Sequence, residues 1–127
     1  MNSLPLHAHL YAAFGWQPPV MAHLPLILNP TGKGKMSKRE DRAPDGRILP
    51  VFVRTFKETG YLPEAMINYL ALVGWSFDDK PEIMSRQELI ERFTLERVNA
   101  SPAVWNYEKL DHLNGCYIRS LSVEDLT

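Results

Sequence analysis

The sequence predicts a mainly helical protein with one short buried strand near its N-terminus. In the second half of the chain, apolar residues recur every three or four positions between recognisable helix start and stop signals. In the first half, one apolar run is too short for a helix and ends at Asn29-Pro30, which indicates a strand. The 127 residues are 45% hydrophobic and 23% charged, which suits one ordinary domain or two small ones.

The first half of the chain alternates short elements with residues that break them. Its expected elements are a helix over residues 6–14 ended by Gly15, a strand over 23–28, a flexible loop over 31–46, and a helix over 49–59 ended by Gly60. In the last of these helices we expect Phe52, Val53 and Phe56 to face inward.

The second half carries stronger helix signals. Pro63 suits a first helical turn, and a face of Met66, Ile67, Leu70 and Val73 precedes a stop at Gly74. A capping box at Ser85 and Glu88 predicts the start of the next helix. Ser101-Pro102 predicts the start of a further helix, whose apolar face is Tyr107, Leu110, Leu113, Tyr117 and Leu121. Ser122 is one more helix start signal. Because only five residues follow Ser122, we expect the chain to be a piece of a longer protein.

The charge is unevenly distributed along the chain. Residues 1–30 contain no Asp, Glu, Lys or Arg, whereas residues 31–57 hold eight basic and three acidic residues. The formal net charge of -1 excludes a uniformly basic protein that coats nucleic acid but allows a local basic patch. A single cysteine, Cys116, fits a reducing compartment, and the proline-interrupted N-terminal stretch is not a membrane span, so we expect a cytoplasmic protein.

The excess of basic residues over 31–57 has two possible explanations. A run of this kind is often only a solvated, mobile loop, but residues 32–39 combine small residues with lysines three positions apart, which suits contact with a polyphosphate. The order of residues is not that of a P-loop, and no helix follows directly.

Other conspicuous residues favour structural roles. The four histidines lack the spacing of metal ligands, and Asp78-Asp79 is more typical of a turn than of a magnesium site, so we predict no metal site. We expect the tryptophans, with Tyr69 and Tyr107, to anchor helix packing, and Cys116 to be a buried, inert thiol.

The segment Lys35-Met36-Ser37-Lys38-Arg39 resembles the second signature of class I aminoacyl-tRNA synthetases. Here it is named the signature segment, residues 35–39. Flanking segments resemble the glutamyl-tRNA synthetase family in the same order along the chain, from about Ser3 to Leu121. They lie at residues 11–16, 22–28, 60–65, 68–75, 101–105, 109–111 and 113–115.

The resemblance implies a fold and a division into domains. Residues 1–60 would be the C-terminal edge of an α/β nucleotide-binding, Rossmann-like catalytic domain that carries the lysine loop. Residues 61–127 would be a truncated, all-helical stem-contact domain. In the family, the intact enzyme joins glutamate to ATP, which is bound with Mg²⁺, and transfers the glutamyl group to tRNA(Glu).

The resemblance also implies residue roles. Lys35 and Lys38 would be catalytic, with Lys38 steadying the ATP phosphates, and Met36, Ser37 and Arg39 would help to bind the nucleotide. Contacts to tRNA are expected from Arg97, Lys109 and Arg119.

The sequence departs from the family in two ways. Met36 stands where many members have Leu, and residues 39–50 form a longer loop. The first signature, the glutamate pocket and the anticodon-binding domain are absent from the sequence, so we expect the chain to be inactive alone.

Two alternative functions remain. The parent enzyme could be a non-discriminating relative that also charges the glutamine tRNA. The chain could instead be a stand-alone helical module that binds nucleic acid or protein through a non-catalytic basic loop.

Overall fold

The computed structural model describes residues 3–39, 41–75, 81–122 and 124. Five α-helices and four two-residue strands are present in these ranges: α1 Leu4–Ala13, β1 Ile27–Leu28, β2 Asp41–Arg42, β3 Ile48–Leu49, α2 Val53–Glu58, α3 Pro63–Gly74, α4 Arg86–Arg92, β4 Ala103–Val104 and α5 Tyr107–Ser120. A short 3-10 turn covers Leu95–Arg97. The prediction of a mainly helical chain is confirmed. Asp78-Asp79 and most of the start signal at Ser122 lie outside the described residues.

The strands form two small sheets. β1 pairs in parallel with β4, with Ile27 opposite Ala103 and Leu28 opposite Val104. β2 and β3 form an antiparallel hairpin. The expected strand over 23–28 is therefore shortened to two half-buried residues, and the loop expected over 31–46 is not wholly irregular, because β2 lies within it.

The strand β4 corrects the expected start of the last helix. Ser101-Pro102 carries a start signal, but Ala103 and Val104 pair with β1 instead, and α5 begins after Asn106. The Asn106 side chain accepts a hydrogen bond from the Lys109 amide at 2.9 Å, so Asn106 is the N-cap of α5. Pairing with a distant strand overrides the local signal at Ser101.

Helix α2 is shorter than expected because Pro50 restricts the residue before it to an extended backbone, and Leu49 lies in β3. Only one of the expected inward residues, Phe56, is buried. Val53 is 85% exposed and Phe52 is 49% exposed, so these two expectations were wrong.

The core lies between α3 and α5. Its larger cluster consists of buried aromatic and leucine side chains, namely Phe56, Tyr69, Trp105, Tyr107, Leu110 and Leu113. Trp105 lies at the centre, with ring centroids 4.8 Å from Tyr69 and 5.7 Å from Phe56. A smaller cluster joins Trp75, Met84 and Leu89, so the expected packing role of these aromatic residues is confirmed. Trp16 instead remains exposed and stacks on Phe14.

The buried face of α3 matches the expected one only in part, since Met66 and Val73 are half-buried and pack against the larger cluster. Ala65, Asn68 and Tyr69 are buried, whereas Ile67 and Leu70 are almost half exposed. Because Asn68 is polar, the spacing of apolar residues in the sequence does not predict that this face is buried. Its Oδ1 accepts a hydrogen bond from the Met84 amide at 2.9 Å and lies 2.8 Å from the Tyr117 hydroxyl.

The capping box on α4 is present as predicted. The Glu88 amide donates to Ser85 Oγ at 3.2 Å, and the Ser85 amide donates to Glu88 Oε2 at 2.8 Å. The Ser85 amide and the Ser85 hydroxyl both donate to the Glu88 carboxylate, and these two hydrogen bonds lower the pKa of Glu88. The helix α1 and its terminating Gly15, at φ +67°, also match the prediction. Every α1 residue is exposed except the half-buried Tyr11.

Tyrosine hydroxyls connect distant segments of the chain. The Tyr69 hydroxyl accepts a hydrogen bond from the Asn106 amide at 2.7 Å, and the Tyr107 hydroxyl donates to the Pro50 carbonyl at 3.0 Å. The Tyr117 hydroxyl lies 2.7 Å from the Met84 carbonyl oxygen. Burial raises the pKa of Tyr69 and of Tyr117.

The Asn68 contacts predict a large stability effect. Asn68→Ala leaves the buried Met84 amide without its acceptor, so we expect the free energy of unfolding to fall by about 1–3 kcal/mol. The control Gln87→Ala removes an exposed amide that bonds Glu91, and should change stability by less than about 0.5 kcal/mol. Urea denaturation of the three proteins measures both values, and equal losses would contradict a structural role for Asn68.

The raised tyrosine pKa values predict alkaline destabilisation. A folded chain with raised pKa values keeps protons that the unfolded chain releases above the ordinary tyrosine pKa of 10.0. The free energy of unfolding should therefore be independent of these groups well below pH 10 and fall as the pH rises above it. Tyr69→Phe should make this fall less steep, as measured by denaturation at a series of pH values. An unchanged slope would show that Tyr69 does not contribute.

Candidate functional site: the signature segment and its supports

The signature segment starts on a hairpin with strand β1. The Met36 amide donates a hydrogen bond to the Ile27 carbonyl at 2.8 Å, and Lys35 forms an antiparallel bridge with Leu28. Met36 is half-buried and packs against the larger core cluster. The N-terminal end of the segment is therefore fixed to the sheet.

One side chain, that of Asn29, organises the turn that leads into the segment. Its Oδ1 accepts hydrogen bonds from the Thr31 amide at 3.1 Å, the Thr31 hydroxyl at 2.7 Å and the Lys33 amide at 3.2 Å. Its Nδ2 donates to the Lys33 carbonyl at 2.8 Å. Gly34, at φ +90°, supplies a backbone conformation that other residues rarely adopt. Sequence reasoning used Asn29 only to end a strand, although Asn before Pro is a recognised turn signal.

The remaining residues of the segment project into solvent. Lys35, Ser37, Lys38 and Arg39 are all exposed, and the Arg39 amide donates to Ser37 Oγ at 2.9 Å. A cavity of about 250 Å³ lies beside them, lined in part by Met36, Ser37, Arg39 and, from α5, Tyr107. Of the five consecutive residues of the predicted nucleotide site, three line this cavity.

A carboxylate on α5 holds the β2–β3 hairpin that follows the segment. Arg47 Nη1 donates to Asp111 Oδ2 at 2.6 Å, and the Tyr61 hydroxyl donates to Asp111 Oδ1. The contact with Asp111 raises the pKa of Arg47, and burial followed by the hydrogen bond to Asp111 raises the pKa of Tyr61. We name Arg47, Tyr61 and Asp111 the Asp111 clamp. Sequence reasoning missed this clamp, because Tyr61 and Arg47 are 50 and 64 residues away from Asp111 in the chain.

The next turn of α5 holds the connection between α2 and α3. Asn114 Oδ1 accepts from the Leu62 amide at 2.9 Å, and Asn114 Nδ2 donates to the Gly60 carbonyl at 3.1 Å. Asp111 and Asn114 are three residues apart, so they lie on the same face of the helix. This face therefore fixes both the hairpin and the start of α3.

The residues expected to contact tRNA lie in the helical part. Arg97 ends the 3-10 turn, and Lys109 and Arg119 lie on α5, about 15 Å apart along its axis. Lys109 Nζ pairs with Glu82 at 3.3 Å, and Arg119 Nη2 lies 3.3 Å from the Cys116 sulfur. Cys116 is half-buried rather than buried as expected.

Within residues 3–39, 41–75, 81–122 and 124, no three His, Cys, Asp or Glu side chains are grouped so that they could hold a metal ion. In the same part of the chain, each helix is either too short or too polar to span a membrane.

Comparisons with known proteins cover almost the whole chain. The glutamate–tRNA ligase of Roseiflexus castenholzii is 59% identical over 124 residues, which are 98% of this chain and 23% of that protein. The glutamate–tRNA ligase of Dehalococcoides mccartyi strain BAV1 is 49% identical over 126 residues, which are 99% of this chain and 24% of that protein. The chain thus spans about a quarter of the length of these relatives.

A solved structure and a family model agree with this result. The crystal structure of glutamate–tRNA synthetase from Elizabethkingia anophelis superposes with a TM-score of 0.75 at 39% identity, and the match covers 98% of this chain and 27% of that one. The model of the catalytic domain of class I tRNA synthetases (E and Q) matches residues 1–112. By sequence and by fold, the chain belongs to the class I tRNA synthetases of the glutamate and glutamine group.

Proposed function

We propose that this chain is the part of a glutamate–tRNA ligase that supplies the phosphate-binding loop and helices that face the tRNA. The family match and the exposed lysines of the signature segment carry the proposal. Residues 1–60 would be the end of the nucleotide-binding domain and residues 61–127 the start of the stem-contact domain. The complete ligase would act in the cytoplasm on glutamate, ATP with Mg²⁺, and tRNA(Glu).

The proposed role of the segment is electrostatic. Lys35 and Lys38 would contact the ATP phosphates, and Lys38 would stabilise the negative charge that moves to the leaving pyrophosphate. Ser37 and the Met36 backbone would help to place the nucleotide, with Arg39 beside them. The half-buried Met36 supports this role, since it fixes one end of the segment while its cationic neighbours stay exposed.

The chemistry also requires groups that bind glutamate and the rest of ATP. In the proposal these groups belong to the remainder of the ligase, because this chain spans about a quarter of its relatives. A test of activity therefore needs the chain inside a complete enzyme. We propose to replace the matching quarter of the Roseiflexus castenholzii ligase, which is 59% identical, with this chain.

In this chimera, Lys38→Ala should lower the rate of glutamyl-adenylate formation by at least about tenfold, because a preorganised charge in an active site contributes several kcal/mol to the transition state. The affinity for tRNA should change little. ATP–pyrophosphate exchange measures the first quantity and filter binding the second.

The control for this experiment is Lys57→Ala, which removes an exposed lysine on α2. It should leave both quantities unchanged. A chimera that binds tRNA but forms no adenylate in its unsubstituted form would favour the helical binding module. Equal losses of adenylation and tRNA affinity in Lys38→Ala would contradict the role of Lys38.

The tRNA contacts make a separate prediction. If Lys109 and Arg119 contact phosphates, then replacing either one by Ala should weaken tRNA binding for all sequences and reduce the salt dependence of log K by about one unit. The same holds for Arg97. Binding titrations at several salt concentrations measure this slope, with Arg92→Ala on α4 as a control. An unchanged slope would exclude the residue from the tRNA interface.

A further inference from the structure

The signature segment is attached to the rest of the molecule at both ends. At its start, the Met36 amide donates to the Ile27 carbonyl at 2.8 Å. Beyond its end, Asp41 pairs with Leu49 in the β2–β3 hairpin. Four positions of the sequence, 37–40, separate these two attachments, and the described ones, 37–39, include Lys38.

The second attachment depends on the Asp111 clamp. Each strand of the hairpin contributes only two residues, and a two-stranded hairpin has marginal stability on its own. The contact of 2.6 Å between Arg47 and Asp111 joins the hairpin to α5, which is part of the core. Tyr61 donates to the other oxygen of the same carboxylate, so Asp111 has a fixed orientation.

We propose that Arg47 and Asp111 are positioning residues for the signature segment. By holding the hairpin on α5 they keep the stretch that carries Lys38 short, and so keep its cation close to the position in which it meets the ATP phosphates. The proposal rests on the function proposed above for Lys38. Neither residue needs to touch the nucleotide.

The size of the effect follows from loop entropy. If the clamp is released and the hairpin opens, the free stretch grows from about four residues to about twelve. The probability that a flexible loop places a group correctly falls with the 3/2 power of its length. A threefold longer loop therefore weakens ATP binding by up to about fivefold.

The direction of the effect separates positioning from simple charge attraction. Removing the Arg47 cation weakens attraction to ATP, whereas removing the Asp111 anion strengthens it. A positioning role predicts that both changes weaken ATP binding. It also predicts that the double change weakens binding about as much as Arg47→Gln alone, because both variants lose the contact with Asp111 and the weaker pair of Arg47 with Asp45 at 3.9 Å.

The test uses Arg47→Gln, Asp111→Asn, the double variant, and the control Arg54→Gln. Asp111→Asn keeps an oxygen for the Tyr61 hydroxyl. Arg54 forms an exposed ion pair with Glu58 at 3.7 Å, so its replacement also removes an arginine from an ion pair, but away from the hairpin. ATP and adenosine are titrated separately into each isotope-labelled chain, and amide shifts are followed at residues 35–39. Amide hydrogen exchange is measured without nucleotide.

We expect Arg47→Gln and Asp111→Asn each to weaken ATP binding by up to about fivefold and to leave adenosine binding unchanged. Exchange at the Ala43 and Gly46 amides, which are hydrogen-bonded within the hairpin, should become faster in both variants. The control should change neither quantity. Arg47→Lys, which keeps the charge but not the planar guanidinium, should fall between the original chain and Arg47→Gln.

Three results would overturn the proposal. These are tighter ATP binding by Asp111→Asn, equal losses for ATP and adenosine, or unchanged exchange in the hairpin of both clamp variants. If the unsubstituted chain shows no ATP-dependent shifts at residues 35–39, the same variants are compared by their KM for ATP in the chimera. An unchanged KM in both clamp variants would overturn the positioning role, whereas an unaffected Lys38→Ala chimera would contradict the function proposed for the segment. The exchange measurement still decides whether Arg47 and Asp111 hold the hairpin.

Discussion

The packing of α5 against α3 is the contact on which the rest of this structure depends. Leu110 and Leu113 of α5 are fully buried, as is Ala65 of α3, and Tyr69 joins the same cluster. Burial of a leucine side chain contributes about 1.5–3 kcal/mol, so these few residues provide a large part of the stability of a small domain. The parallel pairing of β1 with β4 depends on the same core, because β4 is followed immediately by the buried Trp105.

The same helix uses a second face for polar attachments. Asp111 and Asn114 lie next to the buried leucines in sequence, and each binds a segment that arrives from elsewhere in the chain. An exposed ion pair alone contributes little to the free energy of unfolding. The Asp111 carboxylate matters structurally because it binds both the Tyr61 hydroxyl and the Arg47 guanidinium, which restrict each other's positions. The order of the hairpin and of the start of α3 thus derives from one rigid helix.

Local signals were sufficient to predict some elements and not others. The helix α3 between Pro63 and Gly74 and the capping box at Ser85 agree with the sequence because their signals act within a few residues. The start at Ser101 was overridden by a strand partner more than seventy residues away, and the buried face of α3 was predicted only in part, because Asn68 is polar. The lysine segment was recognisable as a pattern, whereas the Asn29 turn and the Asp111 clamp are defined by side-chain geometry. A contact between residues as distant in the chain as Arg47 and Asp111 produces no periodic pattern, so a single sequence does not predict it.

The exposure of the lysines limits what this chain can do by itself. An ion pair between exposed groups in water contributes about 0–1 kcal/mol, whereas a preorganised charge in a site that excludes water contributes several kcal/mol. In the proposed enzyme, Lys35 and Lys38 therefore acquire most of their effect only when other parts of the protein close over the nucleotide. What the chain itself provides is position: the Asn29 turn and Met36 fix one side of the segment, and the hairpin on α5 fixes the other. In the proposed enzyme, positioning of this kind would lower the entropy that remains to be lost when the site closes, and so it would contribute to catalysis before any phosphate is bound.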